Sequence, residues 1–545
     1  MGRLAHLDPA QYLPRFAWAY FTPQPLKNRV MGRNNVYYYW SKLIYLTSSD
    51  YFMTIFPNRH HSSLNSAFSR LCCAVAASLL ALCLGASAYG QVKLPVLGDS
   101  VSGTISTQQE YEFGRELLRQ IRRETPMLDD PLIMEYIVSL TYKLAVNSEL
   151  TDHRLEFVLI DSNILNAFAA PGGIIGVNAG LFLFAQNEGQ FASVLSHELA
   201  HISQRHYARR VQQAQRNALP SIAGLLASLV IAGVAGGDAG QAALMTTQAV
   251  GQENQMRYSR SNEQEADRIG IRTLYNSGFD PFDMAGMFEQ MMRMNSFSQR
   301  MPEFLSTHPL DENRIADSKN RSNALPPVNH IQNIEFMLMK HRVNIHYSND
   351  MDAYVASLER ALPQLNGLEA DAAMYGIALG QLEKGQFVEA TQSLQGILSK
   401  EPNRITYVNL QADIAREAGN LDRALDILND HLRINPENHP LTMSLADTFE
   451  AAGRYQEAAA VLEKHALIRP NDPQVWYQLA EIQGQAGNIS KVHQARGEYF
   501  ITIGDFTRAR SQFNLALEQE RDRLVRAKIQ QRLDFIRSLQ NRFYR

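Results

Sequence analysis

The sequence predicts two folds in succession: an α+β domain that is mainly helical, followed by an all-α solenoid of repeated helix pairs. Three observations predict it. Gly385, Gly419, Gly453 and Gly487 are each 34 residues apart, and Pro402, Pro436 and Pro470 keep the same spacing in a second register. Upstream of them, β-prone runs bounded by turn residues lie between stretches of helical periodicity. Length supplies the third observation: single cores stop growing near ~250–300 residues, so a chain of 545 residues should hold at least two domains.

The repeat is the clearest element. Each glycine is followed two positions later by an aromatic or apolar residue (Phe387, Leu421, Tyr455, Ile489), inside a pattern of Leu-rich helix, glycine turn, Ala-bearing helix and terminating proline. A period of 34 is that of the tetratricopeptide repeat. Gly504 supplies a further turn out of register, as terminal repeats commonly do.

In the first domain, apolar positions recur at helical spacing from about Thr107 to Val146. Leu155 to Ile160 reads as a strand. Ala167 to Val177 reads as a second extended piece, in which Pro171-Gly172-Gly173 feeds a β-prone run, Ile174 to Val177. From Gln190 to Arg210 the pattern is helical again. Leu219 to Gly236 is uncharged and rich in Leu, Ile, Ala and Gly. It admits three readings: a buried helix, a lid over an active site, or a surface that touches membrane.

The three cysteines, Cys72, Cys73 and Cys83, all fall in the apolar run Leu71 to Leu84. Arg59 and Arg70 precede that run and Ala86-Ser87-Ala88 follows it, the order of a secretory signal cleaved after Ala88. A short membrane anchor is the alternative, although about 14 apolar residues fall short of the ~20 that a span needs. Met53 opens a conventional signal better than Met1 does, so residues 1–52 read as an upstream extension or, alternatively, a cytoplasmic tail. After cleavage no cysteine would remain, which excludes disulfides and thiol nucleophiles. A formal net charge of -3, with 45% hydrophobic and 20% charged residues, offers no electrostatic basis for binding nucleic acid.

The chemistry concentrates in His197-Glu198-Leu199-Ala200-His201. On a helix, residues four apart share a face, so both imidazoles can converge on one metal ion while Glu198 reaches an attacking water. An exposed helix that happens to carry these letters is the competing reading. Downstream, Glu263 and Asp267 share a helical face. Glu263 can complete a two-histidine, one-glutamate zinc site, and Asp267 can hydrogen-bond a ligand imidazole, with a solvated acidic face as the competing reading. Glu265 points elsewhere on that helix. His308, in Ser306-Thr307-His308-Pro309, admits four roles: substrate contact, oxyanion stabilisation, blocking the open metal position, or a structural histidine.

Asn166-Ala167-Phe168-Ala169-Ala170-Pro171-Gly172-Gly173, Val194-Leu195-Ser196-His197-Glu198-Leu199-Ala200-His201 and the stretch Ser259 to Asp267 together resemble the M48 peptidases. The resemblance covers nearly everything after Ala88. It implies a zincin-like metallopeptidase domain over 89–335 and a tetratricopeptide-repeat domain over 345–545, after the extension (1–52) and signal peptide (53–88). It further implies one zinc ion per chain on His197, His201 and Glu263, with Glu198 as general base, Asp267 behind the ligands and His308 as an autoinhibitory fourth ligand. Leu219 to Gly236 would be a mobile segment near the cleft. Members with this architecture imply a periplasmic endopeptidase and chaperone of Gram-negative bacteria. They imply a repeat bowl that engages the outer-membrane β-barrel assembly machinery and its unfolded or stalled clients, with peripheral membrane contact left open. A non-proteolytic adaptor or chaperone with an idle zinc site is the alternative. A substrate strand is expected to pair with an Ile174 to Val177 edge.

Overall fold

The computed structural model describes residues 105–216, 249–297, 303–330 and 332–543. The extension 1–52, the signal peptide 53–88 and the Leu219 to Gly236 segment lie outside the described residues.

The helical entry is two helices. In α1 (Thr107–Glu124), the Ser106 hydroxyl accepts from the Gln109 N–H at 3.1 Å and the Gln109 side chain accepts from the Ser106 N–H at 2.9 Å. This reciprocal cap satisfies two donors that the first turn would leave orphaned. A break follows because α2 (Pro131–Ala145) has its own start. Asp130 accepts from the N–H groups of Leu132 and Ile133, and Pro131 takes the first turn, where a missing N–H costs nothing.

A three-stranded sheet comes next, in the order β1-β3-β2: β1 is Glu156–Ile160, β2 Ala167–Ala170 and β3 Ile174–Asn178. β2 and β3 are an antiparallel hairpin across Pro171-Gly172-Gly173. Both glycines have positive φ (75° and 78°), and a Cβ on Gly173 would lie 2.4 Å from the Arg154 carbonyl oxygen. β3 also pairs in parallel with β1, and all five of its residues are buried. The expected Ile174 to Val177 edge is therefore corrected: it is the central strand, paired on both sides. A run of β-prone residues records burial, and strand order depends on partners distant in sequence. The outer side of β1 meets Met127 and Leu128, whose N–H donates to the Leu159 carbonyl at 3.0 Å. Among the described residues β2 pairs on one side alone.

After the sheet come α3 (Gly180–Phe184), α4 (Glu188–Ser203), α5 (His206–Arg216), α6 (Ala249–Asn276), α7 (Phe282–Phe297), α8 (Glu303–Thr307) and α9 (Glu312–Asn323). α4 is buried all round from Glu188 to Ala200, which is why its apolar residues form no single stripe. α10 (Ile334–His346) spans the junction between the two expected domains. It buries Phe336, Leu338, Met339 and Val343 in a core that runs without interruption from α2 and the sheet into the first repeats.

The repeats are helix pairs. α11 (Met351–Ala361) leads to α12 (Gly367–Glu383) with α13 (Phe387–Lys400), α14 (Ile405–Glu417) with α15 (Leu421–Ile434), α16 (His439–Ala451) with α17 (Tyr455–Ile468), α18 (Pro473–Gln485) with α19 (Ile489–Thr502), and α20 (Phe506–Gln519) with α21 (Arg523–Phe543). Gly385, Gly419, Gly453 and Gly487 have φ between 69° and 78°, and the residue after each donates back across the helix end, as Arg454 N–H does to the Phe449 carbonyl at 2.8 Å. That geometry favours glycine, so the spacing of the repeat shows in the sequence. Gly504 makes the same turn but joins α19 to α20, between pairs, which explains its different register. No described helix is long and apolar enough to cross a membrane.

Candidate metal centre

α4 is started by Asn187, whose side chain accepts from the Gln190 N–H at 2.7 Å, and it carries His197, Glu198 and His201 into the centre of the domain. α6 crosses it closely. A Cβ on Gly270 would lie 3.2 Å from the His197 nitrogen and 2.9 Å from Met284 Cε, so glycine lets α6 press against α4 where the histidine emerges. That contact brings Glu263 and Asp267 to the two ring nitrogens of His197. His308 arrives from the turn after α8, stacked on Phe304 with ring centroids 4.6 Å apart.

His197, His201, Glu263 and His308 each offer a ligand atom, and these atoms all lie within 4.8 Å of one another. His201 Nε2 is 3.0 Å from His197 Nε2 and 3.5 Å from Glu263 Oε1. His308 Nδ1 is 3.3 Å from His197 Nε2 and 3.0 Å from Glu263 Oε2. Glu198 sits beside this group, its Oε1 3.4 Å from His308 Nε2. His197, Glu198, Glu263 and Asp267 are all buried.

The donor set fits a cation. His197 Nδ1 faces Asp267 Oδ1 at 3.0 Å, and His201 Nδ1 faces His206 Nδ1 at 2.8 Å. With each Nδ1 facing a partner on its outer side, the two Nε2 atoms are left to face each other at 3.0 Å, where a proton or a cation can sit between them. Tetrahedral zinc with bonds of ~2.0–2.1 Å would set such nitrogens about 3.3 Å apart. Glu263 Oε1 and Glu198 Oε1, both buried, have no hydrogen-bond donor among the described residues.

Protonation follows the same charges. Burial opposes a proton on His197, yet hydrogen bonds to Asp267 and Glu263 outweigh it and carry the pKa up to about 9. That proton stands where a cation would otherwise balance the carboxylates. Burial holds the His201 pKa well below its ordinary value. Burial would raise Glu263, but His308, His201 and His197 hold it well below the usual carboxylate range. Glu198 is pushed up by burial, against the pull of His308 and His197 and the backbone amide of Ala169.

Asp267 is itself gripped by Arg314, whose Nε and second amino nitrogen donate to its two oxygens at 2.7 Å each. Arg314 also donates to the Pro309 carbonyl at 2.6 Å, tying the His308 turn to the Asp267 side of the site. Two contributions escaped the sequence reading. Arg314 lies 47 positions from Asp267 with no local signal for the pairing, whereas a third histidine five residues after His201 is a signal that points to His206. Glu265 points away from the cluster, as expected, and meets His206 and Arg209.

A buried helix that presents two histidines and a glutamate, with a carboxylate from a second helix, defines a metallopeptidase centre. Residues 131–322 match the description of peptidase family M48, and residues 375–439 and 415–488 match tetratricopeptide repeats. The chain is 34% identical to a beta-barrel assembly-enhancing protease of Escherichia coli O157:H7, over 86% of this chain and 97% of that one. A putative beta-barrel assembly-enhancing protease of Vibrio cholerae is 31% identical over 90% of this chain and 99% of that one. A mitochondrial metalloendopeptidase of Saccharomyces cerevisiae is 33% identical over 30% of this chain and 45% of that one. The chain belongs to peptidase family M48, among its members with C-terminal tetratricopeptide repeats.

Proposed function

We propose that the chain is a periplasmic zinc endopeptidase that promotes assembly of outer-membrane β-barrel proteins and degrades those that misassemble. The observation that carries the peptidase part is the convergence of His197, His201, Glu263 and His308 beside Glu198. The assignment to barrel assembly rests on the names of the Escherichia coli and Vibrio cholerae relatives, which match along nearly their whole length. The periplasm follows from the signal expected over 53–88 and from those relatives, and the assembly machinery is the partner proposed for the repeats.

His197, His201 and Glu263 would hold the zinc. Bound there, zinc supplies a Lewis acid for a peptide carbonyl and for water. Glu198, its pKa raised by burial, takes a proton from the attacking water and returns it to the leaving amine. A substrate strand added to the outer side of β2 would run past that base, because the Ala169 amide of β2 meets the Glu198 carboxylate. His308, seated among the ligands, closes the resting site, and the enzyme works when the Ser306 to Pro309 turn withdraws.

That seat also favours the second reading, a repeat-based adaptor or chaperone with an idle zinc site. Glu198→Gln separates the two: the peptidase reading expects loss of client degradation with barrel assembly preserved. Unchanged degradation in that variant would overturn it.

A further inference from the structure

His201 is supported differently from His197. Its Nδ1 reaches another imidazole, His206 Nδ1, at 2.8 Å, with the rings 4.8 Å apart and inclined at 78°. His206 Nε2 then lies 3.2 Å from Glu265 Oε2, which also accepts from Arg209 at 2.9 Å. Arg209 Nε donates to the Gln204 carbonyl at 2.9 Å, anchoring the far end to the end of α4.

We infer that His206 is a positioning residue for the metal ligand His201, acting through a one-way imidazole relay that ends on Glu265 and Arg209. The inference rests on the reading of His201 as a ligand. If Nε2 of His201 binds the metal, its Nδ1 must carry the proton and donate it. His206 Nδ1 is then the acceptor, so the His206 proton resides on Nε2 and is donated to Glu265. Each ring has one tautomer in this scheme, and each proton has one acceptor.

The backbone is bent to make this contact. Arg205, between α4 and α5, has φ of 50°, the one positive φ at a non-glycine residue among those described. A left-handed conformation costs ~1–2 kcal/mol for an ordinary residue. Here the Arg205 side chain is held by Glu110 at 2.7 Å and by the Ile105 carbonyl at 2.7 Å. The reversal folds α5 back so that His206, 2% exposed, returns to the ring it follows by five positions. A turn needed only to end α4 would have no use for a buried histidine at that point.

The test uses the full chain with His206→Ala, His206→Asn and His206→Gln, read by zinc competition against a chelator and by melting of the metal-free protein. Asn places an acceptor oxygen near the former Nδ1, whereas Gln reaches toward Glu265 and leaves His201 without its acceptor. Zinc affinity should fall about 10- to 100-fold in the Ala and Gln variants and recover most of that loss in Asn, with metal-free melting alike in Asn and Gln. Should the Ala variant fail to fold, the Asn and Gln pair carries the comparison. Equal affinity in Asn and Gln, whether weakened or unchanged, overturns the relay. A wild-type chain that takes up no zinc, matching His201→Ala, overturns the metal reading beneath it.

Discussion

The two histidines of α4 face one cluster but are held from opposite flanks by different chemistry. Behind His197 stands a carboxylate gripped by a guanidinium, Asp267 and Arg314, whose side chains are 4% and 3% exposed. Behind His201 stands a neutral imidazole, with its carboxylate one step further out, and the side chain of Glu265 is 27% exposed. A buried, doubly hydrogen-bonded charge pair is rigid and costly to break, whereas a pair partly open to solvent contributes less. One flank therefore fixes the site, and the other adjusts it.

The stiffer flank is most vulnerable at Arg314. Arg314→Ala leaves a buried carboxylate without its partner and frees the Pro309 carbonyl, and should cost about 3–5 kcal/mol. Chemical unfolding would measure it, and a loss below ~1 kcal/mol would mean that this flank is no stiffer than the other. Gly270→Val attacks the same flank through packing. Its Cβ would press on His197 and Met284, so a loss of about 1–3 kcal/mol is expected, together with weaker zinc binding as α6 is pushed off α4.

Acidity sharpens the contrast without touching covalent structure. Asp267 has a folded pKa below its ordinary value because Arg314 and His197 outweigh the effect of burial. Its stabilisation is thus present above the unfolded carboxylate pKa of about 3.9 and is lost only as pH falls through the lower folded value. His206 has its folded pKa lowered by burial, against the pull of Glu265. A histidine that resists protonation when folded loses stability as soon as pH drops below the unfolded value of about 6.5. Melting of the metal-free chain between pH 7 and 5 should therefore fall, and His206→Asn should flatten the slope. Equal slopes in wild type and His206→Asn would contradict this. The smallest effect is expected at Glu265→Gln, which should change stability by less than ~1 kcal/mol.

What could be read in advance followed local rules. The repeats were legible because each first helix ends in a left-handed glycine, and Glu263 and Asp267 because spacing by four on a helix is spacing in space. The parts that escaped depend on partners far along the chain. β3 lies at the centre of its sheet because β1 joins it from an earlier segment, and nothing within Ile174 to Val177 shows which side stays open. Arg314 reaches Asp267 across 47 positions. His206 is close to His201 in sequence, but the left-handed bend at Arg205 that folds it back has no glycine to announce it.

The ion held by the cluster decides whether these residues form a zinc site. Zinc-edge X-ray absorption on the loaded full-length chain should fit three imidazole nitrogens and a carboxylate, from His197, His201, His308 and Glu263, and His308→Ala should remove one imidazole while keeping the zinc. The same shell in both proteins, or a wild-type chain that holds no zinc, would contradict it.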